Sequence, residues 1–457
     1  MRVCYKNLKE VNGGYLACYG YVSSLLQATR LRQRKDTGTM TSIPPVSRAT
    51  PRIPGLWRPR QDKLPRDIKV MLAAAFLIAL GFGLVAPVLP QFATTFGVGN
   101  TEAAVIVAIF ALMRLVFAPA GGALIARWGE RPTYVAGLLI VAASTAACAF
   151  AQGYWQLLLF RGLGGIGSVM FTVASMALVI RLAPAESRGR VSGAYASAFL
   201  VGNVCGPIVG GLLAGFGLRV PFLAYAAALV VAAAVVQTQL SHERKESGKG
   251  QTRNPDMNLA EALRVGAYRS SLVSSFANGW ATFGVRMATV PLFAVAALGS
   301  GPEAAGLALA VFAAGNAAAL TISGRLADSL GRKPMMVTGL LVTGAATAAI
   351  GFTHELGWFL LASALAGIGS GLLGPAQQAA VADVIGSGRS GGKVLAIYQM
   401  TSDIGAIAGP VLAGVLADRL GYGWAFGVTG AVLVLAAASW SVTREPLKGA
   451  GDKRTEG

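Results

Sequence analysis

Twelve long, mostly apolar stretches divide this chain, near residues 69–92, 101–125, 133–152, 154–181, 190–216, 218–239, 270–297, 303–325, 334–353, 357–382, 392–417 and 422–441. A membrane span needs roughly 20 mostly apolar residues. Each stretch is predicted to be helical, because lipid offers no partner to an unpaired backbone group. The expected fold is an all-α membrane protein whose twelve transmembrane helices form two pseudo-symmetric six-helix bundles.

The polar segments set the expected organisation: a basic extension 1–68, an N-terminal bundle 69–239, a linker 240–268, a C-terminal bundle 269–441 and a tail 442–457. In the extension, Tyr15 to Leu26 is too short and polar for a span, and it precedes the basic cluster Arg30, Arg32, Arg34 and Lys35 rather than a cleavage site. Met40 opens a proline-rich lead, MTSIPPVSRATPRIPG, and translation is expected to begin there. The alternative for residues 1–39 is a basic tail that touches lipid or a partner. The linker, with SHERKESGKGQTRNPDMN at its centre, is expected to become a short surface helix from Asn258 to Val265.

Composition agrees with the pattern. Hydrophobic residues make up 54% of 457 and charged residues 13%, against about 25% charged in soluble domains. Basic residues fix the expected orientation. Loops after spans 2, 4, 8 and 10 hold Arg127, Arg131, Arg181, Arg188, Arg190, Arg325, Arg332, Lys333, Arg389 and Lys393, whereas the opposite loops hold only Arg219 and Arg419. The positive-inside rule then makes both termini cytoplasmic in a multi-pass cell membrane protein. The net charge of +19 has +10 in residues 1–69 and spreads elsewhere over those loops, which excludes nucleic acid as the partner. Cys148 and Cys205 lie inside spans, Cys4 and Cys18 lie in the extension, and His242 and His354 are isolated, so neither a metal centre nor a cofactor is expected.

One short segment occurs twice, 202 residues apart: GALIARWGERP at 122–132 and GRLADSLGRKP at 324–334. At nearly the same offset Phe110-Ala111 answers Phe312-Ala313, GGIGS (164–168) answers AGIGS (366–370), and Gly206-Pro207 answers Gly409-Pro410. The chain is therefore two related halves, an arrangement that marks a transporter candidate.

The second copy resembles the signature loop of the major facilitator superfamily, and the resemblance covers about residues 69–441. Gly324 suits a close helix approach, Asp328 can accept from amides at a helix start, and Arg332 and Lys333 anchor the loop. The resemblance implies that such loops, here Gly122, Arg127, Gly129, Arg131, Gly324, Asp328, Gly331, Arg332 and Lys333, clamp the two bundles in one conformation. The first copy departs at Ala126, where the family usually has Asp, and at Glu130, where it usually has Arg, so an N-half clamp is weakened or rewired. Arg161, opening RGLGGIG, resembles the superfamily's fourth-helix arginine implicated in proton transfer; a structural ion pair is the alternative. GNVCGPIVGG (202–211), with Gly202, Gly206, Pro207, Gly210 and Gly211, resembles the motif of the antiporter branches, with a partial copy at 405–414.

Four charges fall inside spans: Arg114, Arg161, Arg286 and Asp403. Such charges are costly and usually face a cavity or a partner. Asp403 is the one carboxylate placed deep in a span, either exchanging protons or pairing statically with an arginine. Burial and a neighbouring cation act oppositely on its ionisation. The first six spans hold arginines and no deep acid, which favours neutral or anionic amphiphiles over cations as cargo. Phe171, Asn278, Trp280, Phe283, Gln377 and Gln378 are candidate cavity residues, with lipid-facing or core packing as the alternative.

The reading is a monomeric proton antiporter that exports small amphiphilic molecules by alternating access. Its partners are a small-molecule substrate, protons and the lipid bilayer. The alternatives are a proton-coupled importer or uniporter and, from another class, a non-transporting membrane sensor. No GxxxxGK[ST] is present to power a primary pump. Two scattered histidines and little buried acid also argue against an enzyme.

Overall fold

The structure, a computed structural model, describes residues 65–182, 188–240, 257–386 and 392–443. The expectations for residues 1–64, the polar centre of the linker and the C-terminal tail lie outside the described residues. Among the described residues, twelve helices are long and apolar enough to cross a membrane: Arg66–Thr94, Asn100–Gly121, Glu130–Ala149, Tyr154–Val179, Ala194–Ala214, Val220–Gln239, Gly266–Ala296, Pro302–Gly324, Arg332–Ile350, Leu356–Ile385, Gly392–Leu420 and Tyr422–Ser441. They are numbered as spans 1 to 12, and each lies within a few residues of its predicted stretch. A short helix, Leu259–Arg264, precedes span 7, its start capped by the Asn258 side chain, which accepts from the Ala260 amide at 3.1 Å.

The duplicated segment has a backbone reason for its central glycine. Gly129 and Gly331 adopt φ of +89° and +100° with ψ of 169° and 162°, each ending one helix and starting the next. That region is open almost only to glycine, so the tight turn between spans 2 and 3, and its copy between spans 8 and 9, require it. Gly324 behaves otherwise than expected. A Cβ built there meets nothing within 4 Å, so this glycine serves no close helix contact here.

Two glycine seams organise the halves. On span 5, a Cβ at Gly202 would lie 2.7 Å from the Ala79 Cβ and the Phe76 oxygen, and one at Gly206 would lie 2.7 Å from the Gly83 Cα. Span 5 thus lies backbone to backbone on span 1. Span 11 repeats the device, with Gly405 against the Phe276 carbonyl and Gly409 against Trp280 of span 7. The last glycine of each motif faces the other half: Gly211 meets Pro302 and Glu303 of span 8, and Gly414 meets Asn100 and Thr101 of span 2. The same spacing therefore binds each bundle internally and joins it to its partner. Small residues permit this approach, which yields dispersion contacts that lipid cannot match.

Between these seams each half has its own core. Tyr134, Leu138, Phe222 and Leu229 are buried in the N-half, and Phe359, Phe426, Met336, Leu340 and Trp440 in the C-half. Some polar groups inside are bonded: Trp440 Nε1 donates to Ser274 Oγ at 2.6 Å, and Tyr268 Oη donates to the Val394 carbonyl at 2.8 Å. Span 7 is the irregular member. Its turn Gly279–Val285 is π-helical, between α-helical Gly266–Asn278 and Arg286–Ala296.

Candidate functional site

Asp403 lies mid-way along the helix Gly392–Leu420, and Arg114 lies mid-way along Asn100–Trp128. Spans 2 and 11 pack together across the boundary between the halves. Arg114 lies near enough to act electrostatically on the Asp403 carboxylate without forming an ion pair within 4 Å. Both charged residues are part-buried, and Arg114 Nε is buried without a hydrogen-bond partner. The arrangement places one carboxylate and one guanidinium on opposite halves, in the packed face of spans 2 and 11.

The other two arginines share a geometry that sequence reading did not anticipate. The Arg161 guanidinium lies over the Phe110 ring, 4.1 Å from its centroid, and the Arg286 guanidinium lies over the Phe312 ring at 3.5 Å. Phe110 and Phe312 are the duplicated phenylalanines, yet span 4 supplies the arginine to the first and span 7 to the second. A guanidinium over a ring face gains about 2 kcal/mol or more when desolvated. Arg161 is 7% exposed and its charge also acts on Cys148 and Tyr225 within the N-half.

The duplicated loops are rewired by charge reversal. Glu130 forms an ion pair with Arg181 at 3.0 Å, tying span 3 to the end of span 4. In the second half Arg332 Nε donates to Asp383 at 3.2 Å, tying span 9 to the end of span 10. Glu130 answers Arg332 and Arg181 answers Asp383 at an offset of 202, so the pair is kept with its signs exchanged. The next residue is copied too: Arg131 donates to the Gln237 carbonyl at the end of span 6, and Lys333 donates to the Ser441 and Thr443 carbonyls at the end of span 12, both at 2.9 Å. Basic groups at helix C-termini satisfy the terminal carbonyls and complement the dipole. Each of these bonds runs within one half, whereas the family resemblance led to the expectation of a clamp between halves. Arg127 is exposed in the last turn of its helix, Gly122 lies one turn further in, and the Asp328 side chain lies outside the described atoms.

Reversing one member should set like charges together. Glu130→Arg is expected to lower the melting temperature in detergent by a few degrees, since part-exposed pairs contribute up to about 1 kcal/mol. Adding Arg181→Glu should recover most of the loss. A double variant that melts no higher than the single one would dismiss the exchange.

Cross-half hydrogen bonds cluster at the ends of the helices away from the termini, hereafter the distal ends. The Asp418 carboxylate, two residues before the end of span 11, accepts from four donors at the start of span 2: Asn100 N at 3.0 Å, Asn100 Nδ2 at 2.8 Å, Thr101 N at 2.9 Å and Thr101 Oγ1 at 2.5 Å. Tyr422 Oη donates to Asn100 Oδ1 at 2.8 Å, and Gln91 Nε2 donates to the Pro291 carbonyl at 3.4 Å. Asp418 thus caps, from the other half, a helix whose first amides have no partners of their own. Sequence reading passed over Asp418 because an acid near the end of a span looks like an ordinary interfacial charge.

The remaining candidates fall in different environments. Gly202, Gly206 and Gly210 lie on the seam with span 1, and Gly211 and the Pro207 carbonyl face span 8; the helix Arg188–Ala214 continues through Pro207. Trp280 and Gln377 are 7% and 2% exposed and belong to the packing of the C-half. Trp280 Nε1 donates to Thr429 Oγ1 at 3.2 Å, and Gln377 Oε1 accepts from Tyr398 Oη at 3.2 Å. Phe171 stacks edge-on against Tyr134 in the N-half, and Asn278 accepts from Thr282, one turn away. Phe283 and Gln378 are exposed. These six do not form one described cavity. Among the described residues there is no cluster of His, Cys, Asp and Glu able to hold a metal ion.

The Major Facilitator Superfamily model matches residues 71–287 and 271–457. Multidrug resistance protein 2 of Bacillus subtilis is 26% identical over 391 residues, which span 82% of this chain and 94% of that protein. Quinolone resistance protein NorA of Staphylococcus aureus is 30% identical over 182 residues, 40% of this chain and 47% of that protein. The fold is similar to that of a bacterial homologue of the human lysosomal transporter Spinster in an inward-facing, unoccupied conformation, with a TM-score of 0.69, 20% identity, and 82% and 96% of the two chains covered. It is also similar to that of a D-xylose–proton symporter, with a TM-score of 0.68, 18% identity and coverage of 83% and 98%.

Proposed function

Because the chain belongs to the major facilitator superfamily, whose members among its relatives are multi-pass membrane transporters and not enzymes, we propose that it exports small amphiphilic molecules in exchange for protons. The observation that carries this reading is the placement of Asp403 and Arg114, from opposite halves, in the packed interface of spans 2 and 11. In the proposed cycle Asp403 takes up a proton, its attraction to Arg114 weakens, and the two bundles rock about the site between them. Arg114, not Arg161, is the cation that acts on this carboxylate. The positive-inside rule puts the termini in the cytoplasm of the cell membrane, so the distal ends joined by Asp418 face outward and the described state is closed to the outside. The glycine seam of span 5 fits the antiporter motif it resembles. The names of the two resistance proteins point to drug-like cargo, and the arginines of the N-half favour neutral or anionic amphiphiles within that class.

The test is transport in proteoliposomes with an imposed pH gradient and a chemically diverse panel of amphiphiles. Export requires cargo to accumulate in the more acidic compartment and the gradient to collapse as it moves. Accumulation in the other compartment would favour a proton-coupled importer, and binding without flux would favour a sensor.

A further inference from the structure

Arg286 begins the segment Arg286–Ala296, directly after the π-helical turn of span 7. It is 2% exposed, and its Nε, Nη1 and Nη2 atoms are all buried without a hydrogen-bond partner. Among the described residues no carboxylate pairs with it. The Phe312 ring offsets part of the cost of burying this cation. Desolvation still costs several kcal/mol per ion in real proteins.

Among the other unpartnered buried polar atoms of the same half are Ser363 Oγ on span 10 and Thr347 Oγ1 on span 9, 0% and 2% exposed as residues. Both positions neighbour, along their helices, residues packed with the same ring. Phe312 packs with Ala346 and Ala366; Thr347 follows the first, and Ser363 lies about one helical turn before the second. The duplication strengthens the placement. Ser363 answers Arg161, whose guanidinium lies over Phe110, the counterpart of Phe312. Position 363 is therefore related to the Phe312 ring as position 161 is to Phe110. The guanidinium over the Phe312 ring and two hydroxyls on neighbouring helices can all donate, and no protein acceptor meets any of them.

We infer that the C-terminal bundle holds a small monovalent inorganic anion, of chloride size, between Arg286 and the hydroxyls of Ser363 and Thr347. Its walls, Phe312, Ala346 and Ala366, are apolar, and a low local dielectric strengthens the attraction. Walls as closely packed as the fully buried Ala366 suit a compact ion rather than an extended carboxylate. The π-helical turn fits this role, since such turns are frequent at functional sites. The ion neutralises a charge that span 7 would otherwise bury alone, and the inference does not depend on the direction of transport.

Chloride binding is read by chloride-35 NMR line broadening of the purified full chain, with thermal melts in chloride and in gluconate. Wild type should broaden the line and melt a few degrees higher in roughly 100 mM chloride than in gluconate, through linkage. Arg286→Met should remove both effects and still fold, because replacing an unpaired buried ion with an apolar chain is often neutral or stabilising. Ser363→Ala should weaken the response to chloride several-fold without abolishing it. Equal broadening and equal melting shifts in wild type and Arg286→Met would overturn the assignment, as would stabilisation by acetate with none by chloride.

Discussion

Asp403→Asn is expected to abolish accumulation of cargo driven by a pH gradient, by 100-fold or more, while exchange of labelled for unlabelled cargo without a gradient persists. The substitution keeps the shape of the side chain and removes its proton exchange. Asp403 stands mid-way along span 11, where Arg114 of the opposite half acts on it, so charge and conformation are linked at one place. The same substitution leaves Arg114 without its counter-charge, and an uncompensated buried charge costs about 3–5 kcal/mol. Asp403→Asn alone is therefore expected to express poorly or favour one conformation. Adding Arg114→Gln should raise the yield of folded protein and keep exchange, without restoring coupling. Coupled accumulation in Asp403→Asn at the wild-type level would remove this residue from the mechanism.

Asp418→Ala is expected to open the distal ends. One carboxylate there accepts from four donors of span 2, two of them backbone amides at a helix start. Bonds to a charged acceptor are stronger than neutral ones, and their exposure to solvent reduces their net contribution. A loss of about 1–3 kcal/mol converts to a shift of roughly 5- to 150-fold in the ratio of closed to open states. Asp418→Asn, which keeps an acceptor oxygen and loses the charge, should fall between. Spin labels at Gln152→Cys and Glu355→Cys, exposed positions in distal loops of the two halves, report the separation by electron–electron resonance once the native cysteines are replaced. A second, longer distance should grow in Asp418→Ala. Unchanged distances would show that the glycine contacts of Gly211 and Gly414 hold the distal ends without the carboxylate.

The fold was legible because two strong signals coincide in the sequence. Lipid demands long apolar helices, and duplication supplies the second half once the first is read. The glycine seams were legible as spacing, although their partners were not. Gly202 and Gly206 repeat as Gly405 and Gly409, but only packing reveals that the first pair faces span 1 and the second faces span 7. The charge exchange was half visible. Glu130 against Arg332 stood out as a mismatch, while its compensation, Arg181 against Asp383, lies at the far end of another span. Hydrophobic pattern carries no information about which helices meet, and for the same reason the rings beneath Arg161 and Arg286 were missed. Trp280 and Gln377 are polar-edged side chains in apolar helices, a signal shared by cavity walls and by hydrogen-bonded cores. Here Thr429 and Tyr398 supply their partners, and both lie in the core of the C-half.

The account rests on a proton exchanged at Asp403 when cargo binds. Proton movement on addition of a transported amphiphile to purified protein in weakly buffered detergent solution, followed with a pH-sensitive dye, measures it directly. Wild type should release protons as cargo binds, most strongly at the pH where Asp403 is protonated before binding, and Asp403→Asn none while still binding cargo. Equal proton release from both would place the exchange elsewhere, and release from neither, with cargo bound, would contradict proton antiport.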